Sequence, residues 1–289
     1  MGTRFDQVVV TGAGGMLARA FRERVESREG ALPASTRFLD RASCDIADAS
    51  SVAGAIGPGV DLVVNCAAYT NVDGAEADEA SATRINGEGV RILAARCAEI
   101  GATLAHFSTD YVFDGKATTP YPTEHPRSPL GAYGRSKLVG ERALEAGACD
   151  WLCLRTSWLY APWGKNFVLT IAKLAQERDS LRVVNDQRGR PTSCETLAWI
   201  TEGMLVGGAR GMHHATDGGE CTWFEFAREI AARVSPSCTV EPCSTAEFPR
   251  PAARPSYSVL DLSKTEGVVG PIPHWREALG KTLDRATDR

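Results

Sequence analysis

The sequence predicts an α/β protein: a doubly wound parallel sheet followed by a smaller C-terminal α/β lobe. Three observations predict it. Short apolar, β-branched runs alternate with amphipathic stretches of helical period over the first 157 residues. The first such run enters a glycine-rich turn that opens a helix, a strand–turn–helix order typical of parallel sheets with crossover helices. Beyond residue 157 the alternation loosens into loops rich in aromatic and basic side chains. The expected division is therefore residues 1–157 and 158–289, with some later segments returning to the main sheet.

The first strand is Val8-Val9-Val10, an apolar run with no alternation, as a strand buried on both faces requires. It runs into Gly12-Ala13-Gly14-Gly15-Met16-Leu17-Ala18 and then a helix through Phe21 and Val25. Glycines let backbone N–H groups approach a diphosphate, and the helix N-terminus adds a favourable dipole. The unit reads as a Rossmann-like dinucleotide site, with Gly12, Gly14, Gly15, Met16 and Leu17 against the cofactor. A second strand over Thr36-Arg37-Phe38-Leu39 ends at Asp40-Arg41. An acid here binds a ribose 2′-hydroxyl and a base a 2′-phosphate, so NADPH and NADH both stay open. Asp45 and Ile46 fall where a turn would meet adenine, and Asp48 is placed to cap the next helix.

The third strand spans Asp61 to Ala68. Its small end residues, Cys66, Ala67 and Ala68, let a cofactor cross the sheet edge. Tyr69 to Asp73 reads as a loop, with Thr70 and Val72 facing substrate. A long helix is expected from Glu76 to Ile100, in which Asn86 either faces solvent, kinks the helix or relays a water to Lys137. A fourth strand, Thr103 to Ser108, delivers Ser108-Thr109-Asp110 to the carboxyl edge, where such sheets bind ligands. A Pro-rich loop to Pro129 follows, then the helix holding Ala132-Tyr133-Gly134-Arg135-Ser136-Lys137, then the strand Trp151 to Arg155.

The catalytic expectation rests on that helix. Tyr133 and Lys137 stand four apart and share a helical face, 24 positions after Thr109. A bare Tyr-x-x-x-Lys occurs often by chance. After a glycine turn and a hydroxyl-bearing strand end it describes a short-chain reductase site. A free phenol has a pKa of about 10, and a neighbouring ammonium lowers it, making Tyr133 a usable proton donor. Asn166 and Arg190 lie in the aromatic and basic loops of the second half and are expected to touch substrate. Arg254 is expected to do so by charge complementarity.

Bulk properties narrow the classes. A net charge of −4 without a basic block excludes nucleic acid as the main partner. No apolar run reaches the roughly 18 residues of a membrane span, and Met1 to Asp6 leads directly into a strand without a leader, so a cytoplasmic location is expected. Nine scattered cysteines without Cys-x-x-Cys, and a His213-His214 pair without helical His/Glu spacing, predict neither disulfide nor metal. Cys66, Cys97 and Cys153 read as small core residues.

Longer motifs resemble the dTDP-4-dehydrorhamnose reductases, within the extended short-chain dehydrogenase/reductases. They are Gly12-x-x-Gly15-x-Leu17, Asn65-Cys66-Ala67-Ala68-Tyr69-Thr70-x-Val72-Asp73, Ser108 through Gly115, Tyr133-Gly134-x-x-Lys137 and Arg155-Thr156-Ser157-Trp158. Gln187-x-Gly189-x-Pro191-Thr192 and Arg254-Pro255-x-x-Ser258-x-Leu260 extend the likeness into the second half. The resemblance implies reduction of the C4 ketone of a dTDP-4-dehydro-6-deoxy-L-sugar by NADPH or NADH. It implies Thr109, Tyr133 and Lys137 as catalytic residues, with Thr109 rather than Ser108 as the working hydroxyl, and Trp158 against the sugar. Some members dimerise through magnesium held by an acid just past the glycine turn. Met16 to Ala20 contains none, so no metal is expected, and the chain is a monomer or a homodimer. Two alternatives share these motifs: a ketoreductase for another nucleotide-deoxysugar, and a non-catalytic NADP-binding subunit resembling the regulatory subunit of methionine adenosyltransferase.

Overall fold

The structure is a computed structural model that describes residues 5–287. Residues 1–4 of the expected first unit and 288–289 of the second lie outside the described residues.

The elements follow in chain order. Strand β1 is Val8–Thr11, helix α1 Met16–Ser27, β2 Arg37–Leu39, α2 Ala49–Ala55 and β3 Leu62–Asn65. Helices α3 (Val72–Ala77), α4 (Glu79–Thr83) and α5 (Gly89–Ile100) come next, then β4 (Thr103–Thr109), α6 (Ala132–Ala146) and β5 (Trp151–Thr156). The second half contains β6 (Leu159–Tyr160), α7 (Phe167–Glu177), β7 (Ser180–Val184), β8 (Arg188–Gly189), β9 (Thr192–Ser193), α8 (Cys194–Val206) and β10 (Gly211–His214). It ends with β11 (Cys221–Thr222), α9 (Trp223–Val234), β12 (Thr239–Cys243), α10 (Ser263–Val269) and α11 (Trp275–Thr287).

Six parallel strands form the central sheet in the order β10-β5-β4-β3-β1-β2. The order reverses beside β1, which places the first glycine turn at a topological switch point. Alternation along the strands explains the two buried faces. Val8, Val10, Val64 and Phe107 pack with α1 and α8, while Val9, Val63, Leu104 and Cys153 pack with α2 and α5. β10 comes from the second half and pairs with β5, so that half does return to the main sheet. A further core, built on Tyr160, Phe226, Trp275 and Leu279, lies among α7, α9 and α11.

The sequence-based expectations need three corrections here. Val72 and Asp73 begin α3 rather than lying in a loop, because the Asn71 side chain accepts from Gly74 N at 3.0 Å and caps the helix. The expected Glu76–Ile100 helix is broken at Asp78, whose carboxylate caps α4 through Ser81 N. It is then widened by one π-helical turn, Arg84–Glu88. Asn86 sits in that turn and does not face solvent. Its amide bonds Tyr69 N and O and donates to Ser136 Oγ at 3.0 Å, tying the loop after β3 to α6. The wide turn exposes the Asn86 carbonyl to α6, where Gly140 alone leaves room for it.

Gly134 plays the same part at the other end of α6. A methyl there would overlap the Tyr111 carbonyl and crowd Pro129. Gly134→Ala is therefore expected to destabilise the fold by about 1–3 kcal/mol through overpacking. A fall in melting temperature measured by circular dichroism checks this, and an unchanged transition would refute the tight contact.

Candidate active site

The glycine turn after β1 is built for close approach. Gly12 has φ +72°, and a Cβ there would lie 2.6 Å from Ala67 N, so the turn meets the end of β3 backbone to backbone. Gly15 is the N-cap of α1 and supplies no side-chain cap, leaving the first-turn N–H groups for a ligand. Above Gly14 the space is open, and a cleft of about 430 Å³ is lined by Gly14, Gly15, Met16, Arg19, Arg22 and Trp163. These features fit a dinucleotide diphosphate. Leu17 points the other way, into the core with Phe21. Ile46 is likewise buried in the core and reaches Gly89, so any part it plays at adenine is through its backbone. Asp40 directly follows β2, exposed, with its carboxylate accepting from Ser43 N and Oγ. Arg41 is exposed and pairs with Asp45 at 3.5 Å.

The strand β4 presents its two hydroxyls to different partners. Ser108 Oγ donates to Glu141 Oε1 at 2.6 Å, inside a buried network with Arg155. Thr109 Oγ accepts from Tyr111 N at 3.2 Å and donates to Asp110 Oδ1 at 3.0 Å, and it acts on the Tyr133 phenol. The geometry thus separates two neighbours that composition could not. Tyr133 stands edge-on to Tyr111, ring centroids 6.0 Å apart. Burial pushes the phenol's pKa upward, the Asp110 carboxylate adds to the rise, and Thr109 pulls the other way.

Lys137 is buried and differs from expectation. Its amine is held not by the phenol but by Phe107 O at 2.6 Å, with His106 Nε2 at 3.3 Å. Burial pulls its pKa down to about 8, against which Cys153 and Glu141 act. In this arrangement the charge that bears on Tyr133 is Asp110, buried with its own pKa raised by desolvation to about 6.

The candidate substrate residues fall into two groups. Thr70 is exposed beside α3, and Asp73 on α3 pairs with Arg254 at 2.9 Å. The Arg254 guanidinium lies over the Tyr111 ring at 5.9 Å, which brings the loop around Arg254 to the catalytic edge. Trp158, in a left-handed conformation (φ +49°), stacks on Trp223 at 3.6 Å, and Gly189 abuts its ring. Asn166 caps α7 through Leu169 N and donates to Ala161 O and Trp163 O, so its amide is spent on the loop beside the glycine turn. Arg190 opens onto a separate cavity of about 310 Å³ with Gly218, Gly219, Asp261 and His274.

Sequence reasoning missed Asp110, His106 and Asn65. His106 is a titratable residue inside the largely apolar run of β4, and Asn65 is the polar residue that closes β3 at the glycine turn, a pattern that could have singled both out; Asp110 lies just past β4 and carried no such signal.

Fold and site together define a dinucleotide-dependent reductase of the short-chain class. A family model described as the RmlD substrate binding domain matches residues 6–288, and the chain belongs to that family. The dTDP-4-dehydrorhamnose reductase of Streptomyces griseus is 41% identical over 95% of this chain and 92% of its own length. A probable dTDP-4,6-dihydroxy-2-methyloxan-3-one 4-ketoreductase of Streptomyces antibioticus is 40% identical over 94% of this chain and 92% of its length. Among solved structures, dTDP-4-dehydrorhamnose reductase from Bacillus anthracis in complex with NADP superposes with TM-score 0.91 at 34% identity, covering 97% of this chain and 99% of that one. No helix among the described residues is long and apolar enough to cross a membrane.

Proposed function

We propose that this chain reduces the C4 ketone of dTDP-4-dehydro-L-rhamnose to dTDP-L-rhamnose, using NADPH or NADH. The observation that carries the reading is Thr109 and Tyr133 meeting at the carboxyl edge of β4, on the same sheet edge as the Gly12–Gly15 turn.

Gly12, Gly14, Gly15 and Met16 hold the cofactor diphosphate by backbone N–H groups, and Asp40, Arg41, Asp45, Cys66, Ala67 and Ala68 flank its remainder. The reduced nicotinamide, when bound, supplies hydride to the carbonyl carbon. Tyr133 gives its proton to the oxygen on which negative charge develops. Burial and Asp110 keep the proton on the phenol in this arrangement, and its release near neutral pH needs a positive charge that draws the value back down. Thr109 hydrogen-bonds the same oxygen, and Lys137 in its charged form eases the departure of the phenolic proton. Thr70, Val72, Trp158, Arg190 and Arg254 are assigned to the dTDP-sugar, and residues 158–289 supply most of that lobe.

Purified protein is expected to oxidise NADPH only when dTDP-4-dehydro-L-rhamnose is present, yielding dTDP-L-rhamnose by mass spectrometry and NMR. Inactivity with this sugar, but turnover of another nucleotide-linked 4-ketosugar, would replace the substrate assignment. The Streptomyces antibioticus relative is the specific reason to include such sugars.

A further inference from the structure

The Arg190 guanidinium stands in a cavity of about 310 Å³ without a counter-ion. It is half-buried, its Nε has no hydrogen-bond partner, and no carboxylate among the described residues forms an ion pair with it. Glu220, Glu266 and Asp261 act on it only at longer range. A partly desolvated fork of five donors is costly to leave unmet, so the place calls for an acceptor from outside the chain. The rest of the lining says which kind. His274 Nδ1 accepts from Arg276 N at 3.2 Å, so the neutral ring carries its hydrogen on Nε2. Burial, Arg276 and Arg190 all act to keep that ring neutral. Its Nε2 lies against Gly219 (φ +77°), where any side chain would cover it. Two carboxylates face these donors. Asp261 commits Oδ1 to Ser263 N and Oγ, at 2.8 and 2.6 Å, which leaves Oδ2 as an acceptor. Glu266 commits Oε1 to Ile272 N at 3.4 Å and leaves Oε2. Leu262 and Ile272 are buried and add an apolar wall. One guanidinium against two carboxylates disfavours a bare phosphate. A neutral ring with an acceptor–donor–acceptor edge fits: carbonyls for Arg190 and His274, a ring N–H for Asp261, and carbon for the apolar wall. A pyrimidine-2,4-dione has that edge.

We infer that the Arg190 cavity is a pocket for a thymine-type base, with Arg190 and His274 donating to its carbonyls and Asp261 accepting its ring N–H. The inference rests on the reading of the chain as a nucleotide-sugar reductase and assigns the base of that nucleotide to these residues. The position agrees. Gly218 lies just past β10, and Asp261 O is bound by His214 Nδ1 at the end of that strand, 3.1 Å away. β10 stands two strands from β4, about 10 Å at the usual interstrand spacing. A diphosphate and a deoxyribose can bridge such a gap between a sugar at Thr109 and a base at Arg190. The segment carrying Arg190 is also tied to the Trp158 loop. Ser157 Oγ donates to Arg190 O at 2.7 Å, and Thr192 N donates to Trp158 O at 3.2 Å.

The test uses the whole chain and needs neither ketone nor NADPH. Titration calorimetry compares dTMP, whose base has the fitting edge, dCMP, whose base has an acceptor at N3 and a donor at C4, and inorganic pyrophosphate. The unmodified chain is expected to bind dTMP roughly tenfold or more tighter than dCMP. Arg190→Met is expected to weaken dTMP roughly tenfold or more, with a much smaller effect on pyrophosphate. Asp261→Asn gives the sharpest reading. Ser263 N and Oγ keep an oxygen at the Oδ1 place, so the new amide nitrogen stands where Oδ2 was and offers a donor to N3. The gap between dTMP and dCMP is then expected to narrow about tenfold, which a merely structural aspartate would not produce. Undetectable dTMP binding, equal binding of dTMP and dCMP by the unmodified chain, or an unchanged gap in Asp261→Asn overturns the inference. Pyrophosphate binding that falls in step with dTMP in Arg190→Met makes the cavity a phosphate site and overturns it too. Where Arg190→Met fails to fold, His274→Asn takes its place; it keeps an acceptor for Arg276 N, lacks the ring donor, and is expected to weaken dTMP about threefold or more. A chain that binds dTMP as expected but oxidises NADPH with no 4-ketosugar keeps the pocket and loses the reductase reading. A chain that reduces dTDP-4-dehydro-L-rhamnose, with a KM unmoved by Arg190→Met, keeps the reading and loses the pocket.

Discussion

Tyr133→Phe is expected to cut turnover by about 10²–10⁴-fold while leaving cofactor affinity near that of the unmodified chain. The substitution deletes one oxygen and keeps the ring. That ring stands edge-on to Tyr111, and Phe preserves the contact. What disappears is the only hydroxyl proton on α6 that faces Thr109. Thr109 cannot replace it, since an aliphatic alcohol is a weaker acid than a phenol and can share its proton in a hydrogen bond without giving it up. Steady-state kinetics with the 4-ketosugar, beside fluorescence titration of NADPH, separate the two effects. Wild-type turnover in the variant would remove Tyr133 from the mechanism, and loss of NADPH binding would show the change to be structural.

Glu141→Gln is expected to destabilise the fold by about 3–5 kcal/mol, the usual cost of leaving a buried charge without its partner. Glu141 is fully buried, with Arg155 donating to both its oxygens at 2.8 Å. Ser108 adds 2.6 Å and Arg127 3.1 Å. Gln keeps the shape but leaves Arg155, also buried, uncompensated. Burial alone would raise the Glu141 pKa; Arg155, Ser108 and Arg127 more than offset this and hold it below the ordinary carboxylate range. A depressed folded pKa contributes stability that is fully present above the unfolded value of about 4.3 and is lost as pH falls through the folded one. Urea denaturation at pH 7 should show the deficit, and the acid-side loss should be smaller in the variant than in the unmodified chain. A difference below about 1 kcal/mol at pH 7 would mean that the pair contributes little.

Much of this molecule was legible before any coordinates. Short β-branched runs such as Val8-Val9-Val10, glycine turns and helical spacing report on local backbone, and the parallel sheet, the Gly12–Gly15 turn and the Tyr133 helix follow from them. The family likeness pointed to Thr109, and the structure gives a reason, since Ser108 is turned to Glu141. What sequence could not supply were long-range pairings. The expected 25-residue helix divides because Asp78 finds a local backbone donor, and Asn86 finds Tyr69 and Ser136, partners 17 and 50 positions away. The i,i+4 spacing of Tyr133 and Lys137 put both on one face, but not at one point. A lysine stem is long enough to reach Phe107 O on the neighbouring strand, and burial rewards it for finding an acceptor there.

The pairing of β10 with β5 has a consequence for how the chain comes into being. During synthesis, β5 is complete some fifty residues before its neighbour at Gly211–His214 emerges. For that interval one margin of the sheet presents bare peptide groups, a template for sticking to other nascent chains. A gene fragment stopping near residue 157 would fix that interval permanently, and its product should precipitate or be captured by chaperones.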